Sequence, residues 1–202
     1  MAEINHTFGG EYLTPEELAD LGIEKLGSNV KISRNILLLG AEKIRIGNNV
    51  RIDDFCTINV TGDGSLEIGN YVHIAGYSYI SCSNSVTFGD FSGISQGVRI
   101  YTSSDDYSGN SLTNPTVPEK YRSPVSGPVT LGDHVIIGSG SIVLPNVICN
   151  EGVAVGALSL VSRNLEAWSI YSGMPLKKLK PRSQKAKDLA SDLLAEVERF
   201  ES

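Results

Sequence analysis

The sequence lacks the features that mark several large classes of protein. Its 17 lysines and arginines are outnumbered by 23 aspartates and glutamates, so it offers no broad basic surface for nucleic-acid phosphates. No apolar run is long enough to span a membrane, and no charged and then apolar N-terminal segment has the form of a secretory signal. We therefore expect no nucleic-acid partner, no membrane span and a cytoplasmic location.

Cysteine and histidine, which supply many metal ligands and nucleophiles, are also scarce. The three cysteines, Cys56, Cys82 and Cys149, are odd in number, widely spaced and never arranged as Cys-x-x-Cys. They predict neither a disulfide framework nor a metal site, and they fit a reducing compartment. The three histidines are His6, His73 and His134.

What the chain does have is an apolar residue at every sixth position. The early series runs in groups of three, and a short extra stretch follows each group before the spacing resumes. The members of this early series are Leu26, Ile32, Leu38; Ile46, Ile52, Ile58; Ile68, Ile74, Ile80; and Phe88, Ile94, Ile100. The later series is unbroken and consists of Leu131, Ile137, Val143, Cys149, Val155 and Val161. A helix would repeat at three and four residues and a strand at two, whereas three hexads match one turn of a three-sided coil. A sustained six-residue repeat is typical of a parallel β-helix.

Turn-forming residues support this fold. Glycine often follows the inward residue, and there we expect it to turn the corner at positive φ. These glycines are Gly27, Gly47, Gly69, Gly89, Gly132, Gly138 and Gly156. We expect the extra stretches at 39–45, 59–67 and 81–87 to form bulging corners between coils. The alternative, a generic β-sandwich, would show a period of two and no sustained six.

The ends of the chain differ from its repetitive middle. Thr14-Pro15-Glu16-Glu17 is a helix-start signal, and it predicts a short helix over about 14–21 that caps the open N-terminal coil. Residues 183–201 carry apolar side chains at helical spacing, which predicts an amphipathic helix packed against its own coil end. The predicted organisation is an N-terminal cap at 1–25, an all-β domain of hexapeptide repeats at 26–182 and a C-terminal α-helix at 183–202.

One long segment interrupts the repeat. Residues 102–128 are polar, rich in proline and glycine, and too numerous for a coil corner. A loop of this length in a compact domain is usually functional or disordered. Because Asp105 and Asp106 give it chemically capable side chains, we expect a functional loop that protrudes from the β-helix.

The last coils carry the sequence GPVTLGDHVIIGSGSIVLPNVICNEGVAVGALSLVSRNL, followed by YSGMPLKKLKPR. With the hexads, this stretch resembles the left-handed β-helix acyltransferases, and within them the galactoside, maltose and xenobiotic O-acetyltransferase group. The resemblance covers about residues 26–182. It implies a left-handed coil, although parallel crossovers are normally right-handed. It also implies a homotrimer, acetyl-coenzyme A as the acyl donor, and active sites between subunits.

The resemblance also implies where coenzyme A binds. The positions that match the family's donor site are Ser139, Ala157, Arg163 and Lys180. Small residues would leave a flat wall for the pantetheine arm. The basic residues clustered near the C-terminus would attract the anionic nucleotide end of the donor. The alternative is that the small residues pack coil walls and the basic residues are simply solvated.

The catalytic base is where the chain departs from the family. The group's general base is a histidine at the start of the long loop, but this loop has none and Asp105 stands in its place. A carboxylate is ordinarily a weak base at neutral pH. The other candidate is His73, which the hexad count places on the wall that faces the loop. Asp105 or Asp106 would then orient its imidazole.

The resemblance implies acyl transfer to a sugar hydroxyl. The reaction expected first is O-acetylation in surface-polysaccharide metabolism. The alternative is N-acylation of a nucleotide-linked amino sugar, since a neutral amine is already nucleophilic and needs less help from a base. A non-catalytic scaffold trimer would explain the lost histidine but not the basic C-terminal cluster. A γ-type carbonic anhydrase shares the coil, but the zinc-ligand pattern of three histidines is missing. We expect His6 and His134 to be ordinary surface residues.

Overall fold

The computed structural model of the protein describes residues 11–201. The expectations for His6 and for residues 1–10 of the N-terminal cap fall outside the described residues. Strands from successive hexads stack into a parallel β-helix with three flat faces, and helices stand at both ends of the described chain. They are α1 (Pro15–Asp20) and α2 (Lys185–Glu201).

Each complete coil contributes one strand to each face. Coils 1 to 4 hold β1 (Lys25–Leu26), β2 (Lys31–Ile32), β3 (Leu37–Leu39), β4 (Ile44–Ile46), β5 (Arg51–Ile52), β6 (Thr57–Val60), β7 (Ser65–Ile68), β8 (His73–Ile74), β9 (Tyr79–Cys82), β10 (Ser85–Phe88), β11 (Gly93–Ile94) and β12 (Arg99–Tyr101). The protruding loop holds β13 (Ser103–Ser104) and β14 (Val125–Ser126). Coils 5 and 6 hold β15 (Val129–Leu131), β16 (Ile136–Ile137), β17 (Ile142–Val143), β18 (Val147–Cys149), β19 (Ala154–Val155) and β20 (Leu160–Val161). The chain ends its β structure with β21 (Ser169–Ser172) and β22 (Lys177–Pro181).

The three faces are continuous parallel sheets. Face 1 is the 6-stranded sheet β1-β4-β7-β10-β15-β18, and face 3 is the 6-stranded sheet of the third strands. Face 2 has the order β2-β5-β8-β11-β16-β19-β21-β22, in which only β22 runs antiparallel to its neighbour. Faces 1 and 3 therefore count six complete coils, and a seventh begins where Leu165 bridges Cys149 on face 1 and continues with β21 on face 2. The sequence predicted about six.

The predicted inward residues form the core. On face 2, Ile52, Ile74, Ile94 and Ile137 pair with one another in register, and each is at most 1% exposed. This stacking confirms the six-residue repeat. In the first coil, the predicted inward residues of faces 1 and 3 are only partly buried because no coil lies below them. The three cysteines are buried and free, Cys149 at its inward position in the repeat, and burial raises the pKa of Cys149 to about 12.

The extra stretches between coils are mostly strand. Residues 59–67 and 81–87 were expected to bulge, but they lengthen β6, β7, β9 and β10 and leave only short connections. The added positions bring a second buried residue to each strand, including Val60, Leu66, Cys82 and Val86. The early coils are therefore wider than the hexads alone require, because two inward residues fit on these strands.

A column of side-chain hydrogen bonds ties the coils together at corner 1, which we define as the turn between faces 1 and 2. The side-chain oxygen of Asn48 accepts the backbone N–H of Ser28 at 2.8 Å, and that of Asn70 accepts the N–H of Asn48 at 2.9 Å. Asp90 and Asp133 continue the column at 2.6 Å and 2.8 Å. Backbone groups that the turn leaves unpaired are thus satisfied by the next coil.

The glycines before this column are required by close packing, not by positive φ. A Cβ atom on Gly69 would lie 2.5 Å from the Asp90 side-chain oxygen. The residues with left-handed backbone come two positions later, as at Asn49 (57°), Tyr71 (56°) and Phe91 (57°). The expectation that the glycines themselves take positive φ was wrong, since the turn takes its left-handed residue two positions later. Glycine is needed before the column because the column of side chains leaves no room for a Cβ there.

Aromatic rings stack on the outside of corner 1. Tyr71 and Phe91 lie 4.7 Å apart and nearly parallel, Phe91 and His134 follow at 5.3 Å, and Trp168 completes the column 5.8 Å from His134. His134 was expected to be an ordinary surface residue, but it is a member of this stack. The rings present an apolar strip along the side of the β-helix.

Helix α2 packs along that strip. Leu189 and Leu193 line a groove with Phe91 and His134, and Lys187 Nζ lies 3.0 Å from a Glu151 carboxylate oxygen. The predicted amphipathic helix is confirmed, but it lies beside the coils and not on their end. The antiparallel β22 turns the chain back, so the helix starts beside the last coils and runs down corner 1.

Helix α1 covers the open N-terminal coil as predicted. Thr14 and Glu17 form a capping box, in which each side chain accepts a hydrogen bond from the other residue's backbone N–H. Leu18 is 7% exposed and belongs to the core cluster, and Arg34 binds both carboxylate oxygens of Glu17. In the part of the chain that the structure describes, no helix is long and apolar enough to cross a membrane.

The hydrogen-bond column predicts the effect of Asn70→Ala. The substitution removes the acceptor of the Asn48 N–H and a donor to Asp90. Because it leaves a backbone donor unpaired, we expect it to lower the free energy of unfolding by about 1–3 kcal/mol, as measured by urea denaturation at fixed protein concentration. Asn110→Ala, in the protruding loop, is the control and should have little effect. Equal stability of the two variants would contradict the role of the column.

Candidate active site on face 2

The outward residues of face 2 form a column of mixed chemistry. Because inward and outward positions alternate along a strand, the residues that precede the buried isoleucines point to solvent. In register up the face they are Lys31, Arg51, His73, Gly93, Ile136 and Ala154. The basic end of the column lies on the N-terminal coils, and its small and apolar end lies on the C-terminal coils.

His73 is bound to a carboxylate of the preceding coil. Its Nε2 atom lies 2.7 Å from Asp53 Oδ2. Arg51 also contacts Asp53, with Nε 2.9 Å from Oδ1, and one of its terminal nitrogens lies 3.0 Å from His73 Nε2. Burial raises the pKa of Asp53, but hydrogen bonds from His73 and Arg51 outweigh it and hold that pKa below its usual value. Asp53 is therefore an ionised partner of the imidazole.

A cavity extends from His73 across the face toward corner 1. Its floor is made of small residues, among them Ala75, Gly93 and Ser95. A Cβ atom on Gly93 would lie 3.1 Å from the His73 carbonyl oxygen, so even a methyl group would crowd this floor. Arg182 stands at the far end, where its guanidinium donates to the carbonyl oxygens of His134 and Gly152. The cavity therefore has a floor of small residues between the His73 imidazole and the Arg182 guanidinium.

The two aspartates of the protruding loop are bound within the loop itself. Asp106 accepts hydrogen bonds from the Ser108 N–H at 2.8 Å and the Ser111 hydroxyl at 3.0 Å, and those from Ser108 hold its pKa below the usual range. Asp105 accepts the N–H of Asn114 at 3.3 Å. The loop base is a ribbon in which β13 pairs with β14. Within one protomer, the described contacts of His73 are with Asp53 and Arg51 and include neither loop aspartate.

The predicted coenzyme A residues lie on the C-terminal coils but not at one point. Ser139 and Ala157 are exposed on adjacent coils at corner 2, the turn between faces 2 and 3, where the Leu158 N–H donates to the Ser139 carbonyl at 2.9 Å. Arg163 follows β20 at the next corner, and its guanidinium donates to the Leu176 carbonyl at 3.2 Å. Lys180 is exposed on β22, opposite Ile170. The structure groups the two small residues and separates the two basic ones.

The basic C-terminal cluster is partly occupied by protein partners. Lys178 forms an ion pair with Glu166 at 2.7 Å, and Lys187 pairs with Glu151. Arg182 binds backbone carbonyls, as described above. Residues 11–201 contain no group of three or more histidine, cysteine, aspartate or glutamate side chains that could hold a metal ion.

Sequence reasoning passed over three residues of this region, Arg51, Asp53 and Ser95. The signal for them was present in the repeat. Ile52, Ile74 and Ile94 occupy the same inward position in successive coils, so a count by coil places Arg51 beside His73 and Asp53 one strand step further on. The extra stretches change the spacing between coils, which hides this neighbourhood from a fixed count of residues.

Known proteins similar to this chain were found by sequence and by structure. No family model matches the chain. A dTDP-4-amino-4,6-dideoxy-D-glucose acyltransferase from Escherichia coli is 48% identical over 180 residues, which cover 89% of this chain and 93% of that protein. AntD, an N-acyltransferase from Bacillus cereus solved in complex with dTDP and 3-hydroxybutyryl-CoA, superposes with a TM-score of 0.88 at 41% identity. That match covers 93% of this chain and 98% of AntD.

A more distant neighbour shares only the architecture. A maltose O-acetyltransferase from Clostridium difficile superposes with a TM-score of 0.56 at 21% identity, covering 89% of this chain and 81% of that enzyme. This degree of likeness is evidence of a common fold and not of a common substrate. From its repeat, its coils and its identity to these relatives, the chain belongs to the hexapeptide-repeat acyltransferases, whose domain is a left-handed parallel β-helix.

Proposed function

We propose that the protein transfers an acyl group from acyl-coenzyme A to the amine of a dTDP-linked 4-amino-4,6-dideoxy sugar. The relative at 48% identity is named for this acceptor, and AntD was solved with dTDP and an acyl-CoA. This is the N-acyltransferase alternative expected from the sequence, and it is better supported than acetylation of a sugar hydroxyl. The maltose enzyme, which represents the hydroxyl reaction, contributes only fold similarity.

The cavity on face 2 carries the proposal. It offers an imidazole at one end, a floor of small side chains and the free hydroxyl of Ser95 beside them. In the reaction, the amine nitrogen attacks the thioester carbon, a C–N bond forms and the C–S bond breaks. His73 accepts the proton that the nitrogen loses, and the departing thiolate takes up a proton to become the coenzyme A thiol. Backbone N–H groups near the loop stabilise the developing oxyanion.

The acyl donor lies along the terminal coils in this proposal. Ser139 and Ala157 provide a flat wall at corner 2 for the pantetheine arm, while Arg163 and Lys180 face the anionic nucleotide end. Ser95 and Gln96 line the cavity on its corner 2 side, so a thioester held there would lie in the same cavity as His73. The acetyl donor expected from the sequence is one candidate among short acyl-CoAs, since AntD was solved with 3-hydroxybutyryl-CoA.

The active site in this proposal is shared between protomers of a homotrimer. AntD structures include variants of a serine and of an aspartate ten positions further along the chain. Ser95 and Asp105 have that same spacing here, as do Ser123 and Asp133, but Asp133 belongs to the hydrogen-bond column of corner 1. Ser95 lines the cavity, whereas Asp105 sits on the protruding loop. A loop that reaches the neighbouring protomer would bring Asp105 and Asp106 to the neighbour's His73.

The proposed location is the cytoplasm, and the proposed process is surface-polysaccharide synthesis. The three free, buried cysteines are compatible with a reducing compartment. Coenzyme A thioesters and nucleotide sugars would both be supplied there.

The first test is the choice of acceptor. With acetyl-CoA or 3-hydroxybutyryl-CoA as donor, we expect dTDP-4-amino-4,6-dideoxyglucose to release coenzyme A thiol, measured with a thiol reagent, and to gain one acyl group by mass spectrometry. dTDP-glucose, which has a hydroxyl at the same carbon, and free maltose are the comparison acceptors. Faster turnover of either hydroxyl acceptor would overturn the N-acyl assignment in favour of sugar O-acetylation.

The second test concerns the base. Loss of a general base typically costs about 10²–10⁴-fold in rate, so His73→Gln should lower kcat by that order while coenzyme A affinity stays close to that of the native enzyme. Asp105→Asn should lower kcat less, since the aspartate acts through the imidazole. His6→Gln is the control. Full activity of His73→Gln on the amine would show that the acceptor needs no base from this residue.

The third test asks whether two protomers build one site. We expect a trimer by sedimentation, and we expect trimers assembled from both His73→Gln and Asp105→Ala protomers to exceed the composition-weighted mean of the two parents. In such a ring about one site in three regains both residues from neighbouring protomers. Activity equal to the mean would place both residues in the same protomer's site, and a stable monomer would refute the shared site altogether.

A further inference from the structure

Two groups of opposite charge compete for one nitrogen of His73. Asp53 Oδ2 lies 2.7 Å from Nε2 and Arg51 lies 3.0 Å from the same atom. A carboxylate only accepts hydrogen bonds and a guanidinium only donates them, so Nε2 serves one partner at a time. If it carries a proton it donates to Asp53, and if it is bare it accepts from Arg51. The identity of the winning partner therefore fixes which ring nitrogen is the base.

The geometry favours Asp53. Its contact with Nε2 is the shorter one, and Arg51 is already bound to the Asp53 carboxylate through Nε at 2.9 Å and a terminal nitrogen at 3.1 Å. With the proton on Nε2, Nδ1 is a bare acceptor, and no hydrogen bond to it occurs among residues 11–201. Apart from His73 and Arg51, Asp53 has no side-chain hydrogen-bond partner in that range. The neighbouring Asp54 accepts hydrogen bonds from Ser33 and Asn35.

We propose that Asp53 is a positioning residue, which holds the His73 imidazole with its proton on Nε2 so that Nδ1 is left to accept the proton of the acceptor amine. The inference rests on the proposed function of His73 as the base. Within one protomer the partner of His73 is Asp53 and neither Asp105 nor Asp106, and the contact that a neighbour's loop would make in the proposed trimer is a separate one. The assignment makes Nδ1 the atom that meets the substrate.

Arg51 has a separate effect on the ring. Its positive charge lies beside the imidazole, while Asp53 supplies the negative charge that stabilises the imidazolium once the proton has been transferred. The charged and titratable groups around the ring are Arg51 on β5, Asp53 directly after β5, Lys31 further down the same column, and Tyr71, His134 and Arg182 across the cavity. Only Arg51 and Asp53 contact it among the described side chains.

The direct test is the tautomer of His73 in the complete protein, read from imidazole nitrogen shifts after 15N-histidine labelling. We expect the native ring to carry its proton on Nε2. In Asp53→Asn the acceptor charge is gone, so Arg51 should donate to Nε2 and drive the proton to Nδ1. Arg51→Met should keep the native tautomer. A native ring protonated on Nδ1, or an unchanged tautomer in Asp53→Asn, would overturn the proposal.

Activity provides the second readout. Asp53→Asn should lower kcat by less than His73→Gln does, with KM for the acceptor nearly unchanged. It should also move the acidic limb of the kcat/KM profile to lower pH by about one unit, because the partner that stabilised the imidazolium is lost. Asp20→Asn, an exposed aspartate at the end of α1, is the matched control. If the kcat/KM pH profile of Asp53→Asn keeps the acidic limb of the native enzyme, the proposal that Asp53 acts by positioning His73 is contradicted.

The two readouts separate this inference from the proposed function. The tautomer is measured without substrate, so it tests Asp53 even if the amino-sugar acceptor proves to be wrong. If the tautomer changes as expected while His73→Gln keeps full activity, Asp53 still holds the ring but the proton acceptor lies elsewhere, and the inference fails. If the tautomer is unaffected while the amino sugar is acylated, the proposed function stands and Asp53 has no positioning role.

Discussion

The hydrogen-bonded register between successive coils is the constraint on which the rest of this structure depends. Each strand pairs in parallel with the strand one coil above, so every inward residue lies over another inward residue. The same register brings outward side chains that are far apart in sequence into direct contact. Arg51 and His73 are 22 residues apart along the chain and 3.0 Å apart in space. A one-position slip would turn the core residues outward and separate this pair.

The corners convert that register into a closed and rigid scaffold. Side-chain oxygens of one coil cap the backbone of the coil below, and glycine appears where a Cβ would collide with them. From Tyr71 to Trp168, the non-glycine residues that take the left-handed backbone at corner 1 carry rings, and these rings stack into the strip along which α2 packs. Corner 1 therefore contributes both to the stacking of coils, through its side-chain hydrogen bonds, and to the packing of α2, through its stacked rings.

The site combines elements of different rigidity. His73 and Arg51 stand on short strands that are held on both sides by neighbouring coils, and Asp53 directly follows β5, so the sheet sets their relative positions. Asp105 and Asp106 stand on the protruding loop, where their hydrogen bonds are to other residues of that loop. In the proposed reaction, such a division would hold His73 in place as the base while the acceptor and donor enter and leave. An amine acceptor also fits a loop without histidine, since the nucleophile needs only to lose a proton.

The sequence by itself determined the β-helix, its inward residues and the two helices, because each follows from a local period or a local cap. The hexads place Ile74 in the core, and therefore His73 on the outer wall, without any knowledge of the coils around it. Only the tertiary structure decided the partners of that wall. It decided that the extra stretches lengthen strands, that Asp53 and not a loop aspartate of the same protomer lies beside His73, and that α2 lies along corner 1 and not on the coil end. Each of these outcomes depends on which side chains meet across coils. Contacts between residues about twenty positions apart are set by the stacking of whole coils, and a six-residue period does not contain that information.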